Sequence, residues 1–207
     1  MKKIIKVLVS SIFCLSMLVG CSSSPYAKAE AQTLTIQGVP VYVEPDEDTT
    51  QNDVDTFLKY LKKQPEYLMK NCTGIYLQGD DKYYDCVEDS EGGESSVGGA
   101  NTSDNSVHLL INNTKTLDRM TEYNIVFTIT RELWHLYDFS KGDGANWLSD
   151  FDFSNLYNAN PNSITEYGAT TVKEFFAEAG SMYINNPEEL EQKNIDVYNY
   201  FELLPKE

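Results

Sequence analysis

The stretch from Thr128 to Asp138 reads TITRELWHLYD. Ile125, Ile129, Leu133 and Leu136 recur around it at helical spacing, and the pattern predicts one long helix over roughly Leu117–Phe139. Residues four apart on a helix share a face, so Arg131 and His135 point the same way. A metal-binding helix of the pattern H-E-x-x-H uses that geometry. It sets two imidazoles on one face, with a glutamate beside the first to act as a base. Glu132 and His135 fill the second and last positions of that pattern, but the first holds Arg131. A metal ligand must offer a lone pair. Guanidinium has none and stays protonated at any physiological pH, so Arg131 cannot ligate and its charge repels a nearby dication.

A second stretch, EYGATTVKEFFAEAG from Glu166 to Gly180, gives the first its context. It predicts another helix, with Thr171 and Glu174 spaced as a capping box. PEELEQKNIDVYNYFELL reads as one final amphipathic helix, and NWLSDFDFSNLY as an aromatic connector after an exit marked by Gly142 and Gly144. Upstream, TLTIQGVPVYVEP alternates as a strand or hairpin arm, with Pro40 implying an edge or bulge. NDVDTFLKYLKKQ has helical spacing and a cap at Asn52 or Asp53, and Pro65 opens a second short helix, PEYLMKN. TGIYLQGDDKYYDCV reads as a hairpin with a Gly-Asp turn, SEGGESSVGGANTSDN as a low-complexity loop, and SVHLLIN as a strand. Strands and small helices come first and helices last, which predicts an α+β fold.

The two stretches together resemble the catalytic domain of the lethal-factor-like (ATLF-like) zinc metallopeptidases, a gluzincin family that includes bacterial Pro-Pro endopeptidases. The likeness covers roughly the last hundred residues in order and spacing. It implies a zincin-like fold with a small mixed sheet and an active-site helix, and zinc as cofactor. It places His135 at the second zinc ligand and Glu174 at the third. Glu132 takes the place of the general base, and Tyr167, seven residues before Glu174, that of the hydroxyl that stabilises the oxyanion. Glu178 matches the family's second glutamate, beside a ligand histidine, and the Asp138 of HLYD fits as well. SVHLLIN takes the place of an edge strand that pairs with extended substrate. Arg131 departs from the pattern. It leaves one histidine and one carboxylate where catalytic zinc takes three protein ligands. The only other histidine, His108, lies in the strand and reads better as a packed strand residue than as the missing ligand.

The front of the chain bears on location. Lys2, Lys3 and Lys6 precede an apolar run, Val7–Val19, that ends in LVGC. This reads as a secretory signal over residues 1–20, with Cys21 lipidated as in bacterial lipoproteins, on the extracellular face of the cell membrane. Residues 21–32 read as a tether, and 33–207 as one domain. Sixteen Lys and Arg against 32 Asp and Glu give a net charge of −16, which argues against a nucleic-acid partner, since phosphate contacts need a basic face. In an oxidising compartment Cys72 and Cys86 are expected to form a disulfide.

The reading that best fits these residues is a surface-anchored monomer with a metallopeptidase-like fold. Its zinc site is degenerate, with zinc weakly held or absent, and Arg131 replaces the metal's charge by pairing chiefly with Glu174. Such a pseudopeptidase binds a peptide or protein partner in its cleft. Two alternatives stand beside it: an active zinc endopeptidase with an atypical metal site, and a surface adhesin or structural lipoprotein. Metal content of the purified domain separates the first two.

Overall fold

TLTIQGVPVYVEP folds as the hairpin its alternation predicts. Strands β1 (Gln32–Ile36) and β2 (Val39–Glu44) are antiparallel and joined at Gln37 and Gly38, whose φ values are 50° and 84°. A two-residue turn with both residues left-handed matches the twist of the strands it joins, and glycine enters that region without strain. The computed structural model describes residues 27–87, 97–111 and 122–206. The expected signal peptide and Cys21 lie outside the described residues. Packed chain begins earlier than the expected Thr33, because Lys28 bridges Thr50 and Ala29 is buried.

Contrary to the sequence reading, Pro40 marks neither an edge nor a bulge. β2 lies between β1 and β3 (Gly74–Gln78), and its parallel ladder with β3 begins at Val41. The proline's missing N–H therefore falls beyond that ladder and removes no sheet hydrogen bond. Helices α1 (Gln51–Leu61) and α2 (Glu66–Met69) make the crossover from β2 to β3. The cap of α1 is Thr50 rather than Asn52 or Asp53. Thr50 Oγ1 accepts the Asp53 N–H at 3.3 Å while the Asp53 carboxylate accepts the Thr50 N–H at 2.8 Å.

The expected hairpin after β3 is instead a strand followed by helix α3 (Asp80–Val87). Asp46, distant in sequence, decides this. Its carboxylate accepts the Asp80 N–H at 2.9 Å, and the Tyr83 N–H bonds the Gly79 carbonyl at 3.0 Å to begin the helix. A Cβ at Gly79 would lie 2.6 Å from the Asp46 carboxylate, so only glycine lets the two segments meet. The helix also bears on the expected disulfide. Cys72 is a free, buried thiol whose Sγ donates to the Gly74 carbonyl at 3.0 Å, so the bridge to Cys86 is not formed.

Strand β4 (Gly98–Asn101) comes from the stretch that reads as a low-complexity loop, of which residues 90–96 lie outside the described residues. It pairs antiparallel with β5 (Ser106–Leu110), which runs parallel to β3. The five-stranded mixed sheet has the order β1-β2-β3-β5-β4. SVHLLIN is therefore an interior strand and β4 takes the edge position expected of it. Val41, Val43, Ile75, Leu77, Val107 and Leu109 alternate onto the core face.

The second half is helical: α4 (Glu122–Ser140), α5 (Phe153–Ala159), α6 (Val172–Asn185), α7 (Pro187–Lys193) and α8 (Ile195–Leu203). The part of α4 expected before residue 122 lies outside the described residues. The single expected final helix is two, broken at Asn194, whose side chain accepts the Val197 N–H at 3.2 Å and starts α8. α4 lies along α6, and β4 and β5 lie against α4. Beneath this pair Trp134, Phe153, Phe176 and Phe201 meet with ring centroids 4.9–5.9 Å apart. A Cβ at Gly180 would stand 2.6 Å from the Trp134 ring, so the absence of a side chain there sets how closely α6 approaches α4. Among the described residues no helix is long and apolar enough to cross a membrane.

Candidate functional site

An open cleft of about 630 Å³ lies where edge strand β4 crosses over α4 and the first turn of α6. Gly98 makes the crossing possible. A Cβ there would meet Thr128 Cγ2 at 2.7 Å and the Glu132 side chain at 3.1 Å. The residues read from the two motifs converge on this cleft. Arg131, Glu132 and His135 come from α4, Tyr167 from the turn before α6, and Glu174 from α6 itself.

Glu174 is set by its cap. Thr171 Oγ1 accepts the Glu174 N–H at 3.1 Å, which starts α6. The carboxylate turns into the cleft rather than back onto the chain, so half of the expected capping box is used and the other half serves the site. Glu174 Oε2 stands 3.4 Å from His135 Nε2, an ion-pair distance, and makes no hydrogen bond. The two groups shift each other. Burial raises the Glu174 pKa, but His135 and Arg131 lower it further, for a net fall. Burial lowers the His135 pKa, but Glu174 and Glu132 raise it more, for a net rise. Together these favour a charged pair.

Arg131 does not pair chiefly with Glu174, as the sequence suggested. Its Nε and Nη2 both donate to Glu132 Oε1, at 3.1 and 2.7 Å, and Nη1 lies 3.7 Å from Glu178 Oε1. Glu174 is already engaged by His135, so the guanidinium swings to its own neighbour on the helix. Its Cζ sits 5.0 Å from the centroid of the Tyr167 ring, which stays half exposed at the cleft mouth. Glu178 is buried and its other oxygen accepts the Thr165 hydroxyl at 2.9 Å. Burial pushes its pKa up, and the Thr165 hydrogen bond and the charge of Arg131 offset only part of that rise.

His135 and Glu174 face each other and Glu132 is held by the Arg131 guanidinium, which itself offers no lone pair to a metal. His108 does not fill the gap. It lies outside this cleft, stacked on Tyr76 at 4.7 Å, with Nδ1 2.9 Å from Gln78 Oε1 and Nε2 3.1 Å from Ser106 Oγ. Among the described residues no three His, Cys, Asp or Glu side chains are grouped to hold a metal.

The cleft also contains residues that the motifs did not single out. Trp147 forms a wall edge-on to His135, with centroids 6.2 Å apart, and Lys173 Nζ lies 4.3 Å from the centre of its ring. Asp138 holds this wall in place. Its two oxygens accept the Ser149 N–H and hydroxyl, each at 2.7 Å, which ties the connector to the end of α4. The glycines of β4 carried no strand signal, and Lys173 sat unremarked inside KEFFAE. No protein-family model matches the chain, and no curated protein matches it.

Proposed function

We propose that the chain is a surface-held pseudopeptidase: a lethal-factor-like, zincin-type scaffold whose cleft binds an extended peptide or protein segment without cutting it. The observation that carries this is the Arg131–Glu132 pair. In a zinc peptidase of this design the carboxylate at Glu132 would act as the general base, and the metal would supply activation of water. Here the carboxylate is held at 2.7 Å by a cation standing where a ligand should be. One substitution therefore removes a donor and occupies the base. The outer strand β4 supports the binding role, because an edge strand pairs with an added one through its backbone.

Two measurements test this reading. The purified chain, dialysed extensively, should carry well under one zinc by elemental analysis and leave a mixed peptide pool uncut, whereas Arg131→His should take up zinc. Near-stoichiometric zinc in the wild type would instead favour an active peptidase. Surface placement rests on LVGC: Cys21→Ala should move the protein from the membrane fraction to the medium, and retention at the wild-type level would remove the lipid-anchor proposal.

A further inference from the structure

The cations around the cleft are unequally matched. Arg131 is neutralised by Glu132 at 2.7 Å, with Glu178 at 3.7 Å, and His135 is matched by Glu174 at 3.4 Å. Lys173 has no carboxylate within ion-pair distance among the described residues. Its ammonium instead rests on the Trp147 ring at 4.3 Å. That ring is itself fixed, edge-on to His135 at 6.2 Å and to Phe139 at 5.6 Å. Among the described residues, Lys173 is thus the cleft cation left without a carboxylate, beside Arg131 and His135, which each have one.

A cation on an aromatic face keeps its charge and its N–H donors while losing part of its rotamer freedom, so less order remains to be imposed when an anion arrives. Among the described residues the two acids lining the cleft, Glu132 and Glu174, cannot supply that anion, since each is held by its own partner. Resting on the reading of the cleft as a peptide-binding groove, we infer that Lys173 is a specificity residue. The bound peptide presents a carboxylate to it, from an aspartate or glutamate side chain or from a free C-terminus.

A bead library of random octapeptides, made in free-acid and C-terminally amidated forms, tests this with the full chain. Wild-type protein should be retained by peptides enriched in Asp and Glu if the carboxylate is a side chain, or by the free-acid form alone if it is a terminus. Lys173→Gln should weaken retention of those peptides about fivefold and leave neutral peptides unchanged, as expected for a partly exposed charge pair. Lys173→Arg should keep the preference, and Lys141→Gln, an exposed lysine outside the cleft, should not alter it. Retention without any preference for carboxylates, or a preference that survives Lys173→Gln, overturns the inference and leaves the peptide-binding reading standing. Retention of no peptide by the folded wild type overturns both.

Discussion

Helices α4 and α6 contribute to two unlike regions, the lower one completed by α5 and α8. Below, Trp134, Phe153, Phe176 and Phe201 form a dry aromatic layer with scarcely any exposed surface. Above, Arg131, Glu132, His135 and Glu174 form a layer of charges around an open cleft. The lower layer needs only shape and apolar area, and many neighbours share the load. In the upper layer each buried charge depends on one or two opposite charges, because desolvation makes an unmatched one expensive. Catalytic parts can therefore be exchanged in the upper layer, provided each exchange leaves the charges matched, while the lower layer preserves the frame. On the function proposed above, Arg131 opposite Glu132 is such an exchange.

The largest effect is expected in the lower layer. Trp134→Ala removes the ring that packs on Phe176, Phe201 and Tyr137, and should destabilise the chain by about 3–5 kcal/mol. Chemical denaturation monitored by circular dichroism checks this. Loss of under about 1 kcal/mol would mean that the aromatic layer is not what holds the two helices. In the upper layer, Arg131→Ala leaves the Glu132 carboxylate buried without its guanidinium and should destabilise by about 2–4 kcal/mol. Adding Glu132→Gln to that variant should recover most of the loss, since no charge is then left unmatched. A double variant no more stable than the single one would show that Arg131 supports the fold through Tyr167 or Glu178 rather than through Glu132.

The sequence made helices α4 and α6 legible, along with the residues that meet in the cleft, but neither the aromatic layer nor the wiring of the cleft. Helical spacing located α4 and α6, and the residues of the two motifs do meet in one cleft. Arg131 could be seen to be unable to ligate, because that follows from its chemistry alone. Which carboxylate it would take could not be seen. That depends on His135 reaching Glu174 first, a competition settled by side-chain positions across two helices. Strand β4 was hidden because Gly-Gly-Ala has no alternation to read, and its place over α4 comes from the space that Gly98 leaves above Thr128 and Glu132. The helix after β3 was hidden for a similar reason: Asp46, 34 residues away, supplies the bond that starts it. In each case a contact between distant segments overrode a local pattern.

The smallest effect belongs to the boundary between the layers, where Asp138 sits fully buried at the base of the cleft wall. Burial raises its pKa from an ordinary 3.8 to about 6, and the two bonds from Ser149 offset only part of that rise. An acid whose pKa is raised on folding is protonated more readily in the folded chain than in the unfolded one. Between about pH 4 and 6 the folded state therefore holds a proton that the unfolded state has released, and stability falls as pH rises through that window. Asp138→Asn keeps the shape, and its carbonyl can still accept the Ser149 N–H at 2.7 Å. The Ser149 hydroxyl can turn to accept from the new amide. The variant should thus lose this part of the acid-side slope, becoming about 1–2 kcal/mol more stable relative to wild type at pH 7 than at pH 4. Melting curves of both proteins across that range decide the matter. Parallel curves would mean that Asp138 stays ionised in the folded chain, matched like the charges above it, and the boundary between the two layers would then lie one turn deeper.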